Sequence, residues 1–343
     1  MGTTTGTNGR VLRLGVAGVG SLGFHHARIA RELADVRMMG FFDPEADRAK
    51  EVSAELDIHA FPSLEALLGA VDGVVVASPT KTHAAVASAA LERGVHVFIE
   101  KPIASTLEEA DQILTAAGTS GAVVQVGHVE RFNAALIGAS PFLDSPLFIE
   151  SHRLAPFTER GTDVAVVLDL MIHDVDLVAS LVGGPIQDIQ ATGVPILTES
   201  VDIANARLTF ENGAVANLTA SRVSTERLRK LRIFQRSGYL SLNLAEGTGK
   251  YLRLKQDLPA LQALSGADAS SGRLAPDLES IVETVPLTAE PTEPLRRELE
   301  SFRDSILDGT LPAVSAREGR DALATALAIE ARIMSHVADT RSS

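Results

Sequence analysis

The stretch "VLRLGVAGVGSLGFHHARIARELADVRMMGFFD", residues 11–43, decides the architecture. An apolar run (Val11, Leu12, Leu14, Val16) passes through Gly18, Gly20 and Gly23 into a segment of helical period, and a second apolar run ends at Asp43. This is G-x-G-x-x-G between a strand and a helix, the context the motif requires. Gly18 permits the tight turn, Gly20 lets a pyrophosphate approach the backbone, and Gly23 lets the helix pack closely on the strand. The phosphates then meet the start of the helix at Ser21 and Leu22, where unpaired N–H groups and the dipole favour anions. Asp43 stands twenty residues past Gly23, where a carboxylate that accepts from ribose hydroxyls belongs. It would repel a 2′-phosphate, so NAD is expected over NADP, and Arg48 nearby leaves NADP possible.

The alternation continues downstream. Strand-like runs "IHAF", "GVVVAS", "VHVFIE" and "AVVQVG" are separated by helical segments such as "HAAVASAALERG" and "TLEEADQILTAAG". Apolar strands alternating with helices indicate a parallel sheet covered on both faces, with ligands beyond the strand C-termini. Those ends carry Gly18 to Gly23, Asp43, Ser78-Pro79-Thr80 with His83 shortly after, Glu100-Lys101-Pro102, and Gly127-His128.

Composition limits the alternatives. The chain has 343 residues, 45% of them hydrophobic, enough for two domains with cores of their own. A net charge of −13 disfavours nucleic acid and anionic membrane surfaces as partners. Cysteine is absent, which removes disulfides and thiolate chemistry. With neither a signal-like N-terminus nor a long apolar span, a soluble cytoplasmic protein with no membrane insertion is expected. Residues 1–9 read as a frayed tail.

The pieces "GVGSLG", "SPTKTHAAVASAALERGVHVFIEKP", "VGHVERFNAA" and "DLMIHDVDLV" occur in one order over roughly the first 180 residues. In this the sequence resembles the Gfo/Idh/MocA family, named for glucose-fructose oxidoreductase and inositol dehydrogenase. The resemblance implies an α/β chain: an N-terminal Rossmann domain, residues 1–127, then an α+β substrate and oligomerisation domain with a large, mostly antiparallel sheet, residues 128–343. It implies hydride transfer between a nicotinamide and a carbinol of a sugar or cyclitol, and a homodimer or homotetramer. Lys101 would stabilise the oxygen as it gains alkoxide character, and Pro102 would fix the turn that aims it, through a bond that in similar proteins can be cis. Asp169 and His173, four apart on a helix expected from about Asp163 to Val182, share one face. By the family pattern they join Lys101 at the reacting hydroxyl, His173 as acid/base. Which of Lys101 and His173 accepts the proton stays open. Asp174 and Asp176 turn to other faces and are expected in solvent. No third ligand accompanies this pair at metal-binding spacing, so no metal is expected. His25 and His26 read as packing or solvent residues.

His128, Arg131 and Asn133 are expected at the substrate. Farther on, "IANARLTFENGAVANLTAS" reads as a hairpin through Asn212-Gly213. The basic run holding Arg229, Lys230, Arg232 and Arg236 follows, and Arg131, Arg229 and Arg232 offer bidentate partners for a diphosphate. These features resemble the branch of the family that oxidises C3 of UDP-N-acetylglucosamine, with "RFNAA" standing where that branch carries "RFNPA". An inositol or free-sugar dehydrogenase, and a non-catalytic NAD-binding regulator, are the alternatives. Residues 256–293 read as a variable loop with a short strand near "SIVETVPL". Leu295, Leu299, Phe302 and Ile306 form a helical stripe, and Ser315 with Glu318 a capping box. These last helices, about 295–338, are expected to pack back on the Rossmann domain.

Overall fold

The computed structural model describes residues 10–158, 164–255, 281–290 and 292–341. The predicted tail at 1–9 and most of the predicted loop at 256–293 lie outside the described residues. Strands β1 (Leu12–Ala17), β2 (Val36–Phe42), β3 (Gly73–Val76), β4 (His96–Glu100) and β5 (Val124–Gly127) form a parallel sheet in the order β2-β1-β3-β4-β5. Helices α1 (Ser21–Glu32), α2 (Ala46–Leu56), α3 (Leu64–Leu68), α4 (His83–Leu91) and α5 (Leu107–Ser120) connect and cover it. This explains strands such as Gly73–Val76, apolar and buried at every position. The chain leaves β1 toward β2 on one side and returns to β3 on the other. The crevice beyond these ends is the topological switch point.

One predicted strand is corrected. Residues 58–61 make only a single bridge, Phe41 to Ala60, and Pro62 follows directly with no N–H to extend the pairing.

The second sheet has eight strands: β6 (Phe148–Leu154), β7 (Ile186–Val194), β8 (Ile203–Phe210), β9 (Val215–Ser221), β10 (Leu228–Gln235), β11 (Gly238–Asn243), β12 (Thr248–Leu254) and β13 (Val282–Leu287). Their order is β13-β12-β11-β10-β6-β9-β8-β7, antiparallel except for the parallel pair β6 and β9. The expected hairpin joins β8 to β9, with Gly213 at φ +85°. Strict alternation sends Ile149, Leu218, Leu231 and Ile233 inward onto α6 (Ala134–Ala139) and α7 (Ile172–Val182).

Two C-terminal helices return to the first sheet. On α8 (Pro294–Leu307), Leu299 and Phe302 join Leu12, Val16 and Phe98 in one core, and the Phe98 and Phe302 rings sit 5.9 Å apart. Helix α9 (Ala316–Arg341) opens on the predicted capping box: Ser315 Oγ accepts from the Glu318 N–H at 3.3 Å, and the Glu318 carboxylate accepts from the Ser315 N–H at 2.8 Å. Its Leu323 packs on the first sheet and its Ile329 on the second, so it ties the two together. Among the described residues no helix is long and apolar enough to cross a membrane.

Candidate active site

The glycine loop fits a dinucleotide. A side chain at Gly18, which has φ +88°, would strike the Ser78 backbone at 2.7 Å, and one at Gly23 would lie 1.9 Å from the Gly18 carbonyl oxygen. Gly20 is different: a Cβ there meets nothing within 4 Å, so the space in front of the α1 N-terminus is open. Ser21 and exposed Leu22 begin α1, whose first turn carries no acidic residue to repel a phosphate. The Asp43 carboxylate accepts from the Val19 N–H at 2.8 Å and the Glu45 N–H at 2.9 Å, bracing the loop. Arg48 Nε donates to the Val19 carbonyl at 2.8 Å, and its guanidinium lies over the Phe24 ring.

Beyond β3, Ser78 and Thr82 share a hydroxyl hydrogen bond of 2.7 Å, and Pro79 and Thr80 form the turn between them. His83 is buried beneath this turn, its ring nitrogens facing the carbonyl oxygens of Ser78 and Pro102, both at 2.9 Å. It therefore ties the β3 and β4 ends together from below.

The β4 end is anchored from behind. Glu100 is 6% exposed; one carboxylate oxygen lies 2.6 Å from His26 Nε2 and the other accepts from the Lys101 N–H at 3.2 Å. His26 packs edge-on against Phe98. The Lys101-Pro102 peptide is cis. Lys101 Nζ donates to the Asp169 carbonyl oxygen at 2.7 Å and lies 3.6 Å from its carboxylate. Burial pulls the Lys101 ammonium below the usual lysine range, partly offset by Asp169 and Glu100.

The helix expected from Asp163 to Val182 is interrupted. Val167–Met171 form a π-turn before α7 begins at Ile172, while residues 159–163 lie outside the described residues. A π-turn breaks the regular i→i−4 ladder and is frequent at functional sites. Here the Asp169 carbonyl accepts from Lys101. His173 follows in the first turn of α7, and its buried Nδ1 has no hydrogen-bond partner. Burial, and then the positive charges of Lys101 and Arg153, hold the His173 imidazole well below the ordinary histidine range. Lys101, Asp169 and His173 thus come together from two elements more than sixty residues apart.

The wall behind them differs from the expectation. Asp174 and Asp176, expected in solvent, are each 1% exposed. Asp174 takes both Arg153 Nε (2.8 Å) and Nη2 (3.0 Å), and Arg153 Nη1 reaches Glu130 at 2.7 Å. Burial opposes the Arg153 charge, but the two carboxylates outweigh it and hold the guanidinium above its ordinary value. Asp176 takes Arg131 Nε and Nη2 at 2.8 and 2.7 Å, and Glu318 takes Nη1 at 2.9 Å. Arg131 is therefore already committed, which corrects its expected place at a diphosphate. Asn133 is corrected likewise: 6% exposed, it caps α6 through the Ala135 N–H and donates to Glu130 and the Leu244 carbonyl. Ala134 is the first residue of α6, a position that proline also suits, so "RFNAA" keeps the turn. His128, expected at the substrate, is 1% exposed, with its Nδ1 3.9 Å from Asp176 Oδ2.

Sheet parity also separates the arginines. Arg229 shares the inner face with Leu231 and Ile233, pairs in register with Arg153, and is 46% exposed beside His173. Arg232 points to the opposite face, toward Glu150, so the two cannot grip one diphosphate. The sequence reading passed over Arg153, Glu130 and Glu298, because an isolated charge gives no hint of a partner in a distant element. The visible signal was Asp174 and Asp176 standing among apolar residues.

Residues 12–128 match the model of an oxidoreductase family with an NAD-binding Rossmann fold, and residues 125–241 match the GFO/IDH/MocA C-terminal domain. The chain is 44% identical to UDP-N-acetylglucosamine 3-dehydrogenase of Acidithiobacillus ferrooxidans over 69% of this chain and 75% of that one. The solved structure of a UDP-N-acetylglucosamine 3-dehydrogenase from the same organism superposes with a TM-score of 0.83 at 36% identity, covering 94% of this chain and 97% of the other. An NAD(+)-dependent scyllo-inositol 2-dehydrogenase of Bacillus subtilis is 29% identical over 62% of this chain and 68% of its own.

Proposed function

The chain belongs to the Gfo/Idh/MocA family of oxidoreductases and is a nicotinamide-dependent dehydrogenase acting on a CH–OH group; within that family we propose that it oxidises the C3 hydroxyl of a UDP-N-acetylhexosamine to a ketone. The observation that carries the reading is the meeting of Lys101, Asp169 and His173 in front of the glycine crevice. The 44% identity to an enzyme of that name supports the substrate. A bound nicotinamide would supply the acceptor for the hydride of the carbinol carbon.

Lys101 Nζ donates to the carbinol oxygen as negative charge builds on it. His173, neutral at pH 7 because burial and nearby cations disfavour its charged form, takes the hydroxyl proton. Asp169 holds the Lys101 ammonium and a neighbouring substrate hydroxyl. Arg229, half exposed beside His173, meets the diphosphate. Gly18, Gly20, Ser21, Leu22 and Gly23 hold the dinucleotide phosphates and Asp43 its ribose, favouring NAD over NADP. Residues 1–127 form the nucleotide domain and 128–343 the substrate domain. The outer face of the second sheet carries the half-buried rings of Phe148, Phe234 and Tyr239, an apolar cluster that a second subunit would cover in a cytoplasmic homo-oligomer.

The test is to supply NAD with UDP-N-acetylglucosamine, N-acetylglucosamine and myo-inositol separately and follow reduced nicotinamide. Oxidation of the UDP-sugar, with a 3-keto product, is expected. Oxidation of inositol alone would overturn the substrate assignment.

A further inference from the structure

We propose that His26 is a positioning residue for Lys101: acting through the Glu100 carboxylate, it fixes the backbone from which Lys101 reaches the carbinol oxygen. It thereby joins α1, the helix that opens at the dinucleotide loop, to the group that meets the substrate. The proposal rests on the dehydrogenase reading above and adds a residue that works through another rather than at the reacting atoms.

The contacts run without a gap. His26 Nε2 lies 2.6 Å from one Glu100 oxygen, and the other oxygen accepts from the Lys101 N–H at 3.2 Å. A carboxylate only accepts, so the His26 ring carries its hydrogen on Nε2. Lys101 Nζ in turn donates to the Asp169 carbonyl at 2.7 Å. Among the described residues, His26 and the Lys101 N–H are the hydrogen-bond partners of the Glu100 side chain. The last torsion of a glutamate is soft, so nothing in Glu100 itself sets the plane of its carboxylate. With one oxygen held by His26, the plane is set and the second oxygen faces the Lys101 N–H.

The neighbouring elements are shaped around this pair. Phe98 and Glu100 stand two apart on β4 and share a face, and the His26 ring from α1 meets both, its centroid 5.2 Å from that of Phe98. On the next strand Gly127 is in register with Glu100, and a Cβ there would lie 3.0 Å from the oxygen that accepts from Lys101. The glycine leaves the carboxylate its place. On the far side of Lys101, His83 Nδ1 lies 2.9 Å from the Pro102 carbonyl, so the turn is held before and after the lysine. The side chains of His26 and Glu100 are 0% and 8% exposed. A polar pair sealed in this way commonly adds little stability over an apolar pair of the same shape, so what it supplies here is direction. His26 lies five residues into α1 from Ser21, about 8 Å along the helix axis, which carries the alignment from the glycine loop to the β4 end.

The test uses His26→Phe, which keeps a ring and removes the donor, and His26→Gln, whose amide N–H reaches the place of Nε2. Glu100→Gln is made alone and together with His26→Phe. Each variant is assayed with the substrate that the unaltered protein oxidises, after thermal unfolding has shown it to be folded. Expected in His26→Phe is a kcat roughly tenfold lower, with KM and NAD affinity within about twofold of the unaltered protein. His26→Gln should recover most of that loss. The double variant should be no slower than the slower single one, because both changes break the same contact. If His26→Phe does not fold, His26→Asn, whose amide is too short to reach Glu100, takes its place with the same expectation. The proposal is overturned if the folded donorless variant keeps its kcat, or if its NAD affinity falls as far as its kcat. It is also overturned if His26→Gln recovers nothing, or if the losses from His26→Phe and Glu100→Gln multiply. A failure of the substrate assignment shows separately, in the unaltered protein's preference for inositol, and the variants are then compared with inositol.

Discussion

At the end of the first sheet, the polar groups that line the open crevice belong to the backbone, freed by Gly18, Gly20 and Gly23. On the inner face of the second sheet the polar groups are buried side chains, with Arg153 between Asp174 and Glu130 and Arg131 between Asp176 and Glu318. The first arrangement is local, since a glycine's neighbours within one turn decide what its missing side chain permits. The second is assembled from β6, α7, α9 and the turn after β5, and each charge is tolerable only because the others are present. The glycine crevice should therefore fail by losing its ligand. The ionic wall should fail by losing the fold.

The largest expected effect tests the wall. Arg153→Met leaves Asp174 buried without its cation and Glu130 with only the half-exposed Arg229 at 3.5 Å, and should cost about 3–5 kcal/mol in urea unfolding. An unchanged midpoint would break the comparison, because the wall would then be a solvated surface in disguise.

Gly23→Ala tests the crevice. Its Cβ would sit 1.9 Å from the Gly18 oxygen, so the loop must move. NAD affinity by calorimetry should fall roughly hundredfold, about 2.7 kcal/mol, and by more than the unfolding free energy falls. A stability loss larger than the binding loss would put glycine loop and wall in the same class. More mildly, Asp43→Ser should weaken NAD about tenfold and admit NADP.

The smallest effects lie in pH dependence. Burial lowers the values of His128 and His173, so below about pH 6.5 the unfolded chain takes up protons that the folded chain refuses, and stability falls as pH falls through that range. Glu298 has the opposite sign. Its carboxyl keeps a proton that the unfolded chain releases above about pH 4.5, so it costs stability as pH rises. Glu298→Gln should raise Tm by about 2–4 °C at pH 8 and by less at pH 5. Equal shifts at both values would show that the carboxyl is already ionised in the fold.

The same contrast decides what the sequence made readable. Gly18 to Gly23, Asp43, Lys101-Pro102 and the Ser315–Glu318 cap each declare themselves within a few residues, because backbone geometry and capping are short-range. Residues 58–61 misled for a short-range reason too: the run is apolar, but Pro62 cuts the pairing. Asp174, Asp176, Arg131 and Asn133 were misplaced because their partners are 21 or more residues away or, for Asn133, divided between the adjacent turn and Leu244. The π-turn at Asp169 carries no composition of its own. Its Asp169 carbonyl accepts from Lys101, which arrives from the other sheet.

The measurement that tests the account most directly is made on Lys101→Ala, with NAD binding and sugar oxidation followed in the same preparation. The account predicts a kcat lowered by about 10²–10³ with NAD affinity unchanged within twofold, since Lys101 acts on charge that appears only during reaction. Full activity, or a loss of NAD affinity as large as the loss of turnover, would contradict it.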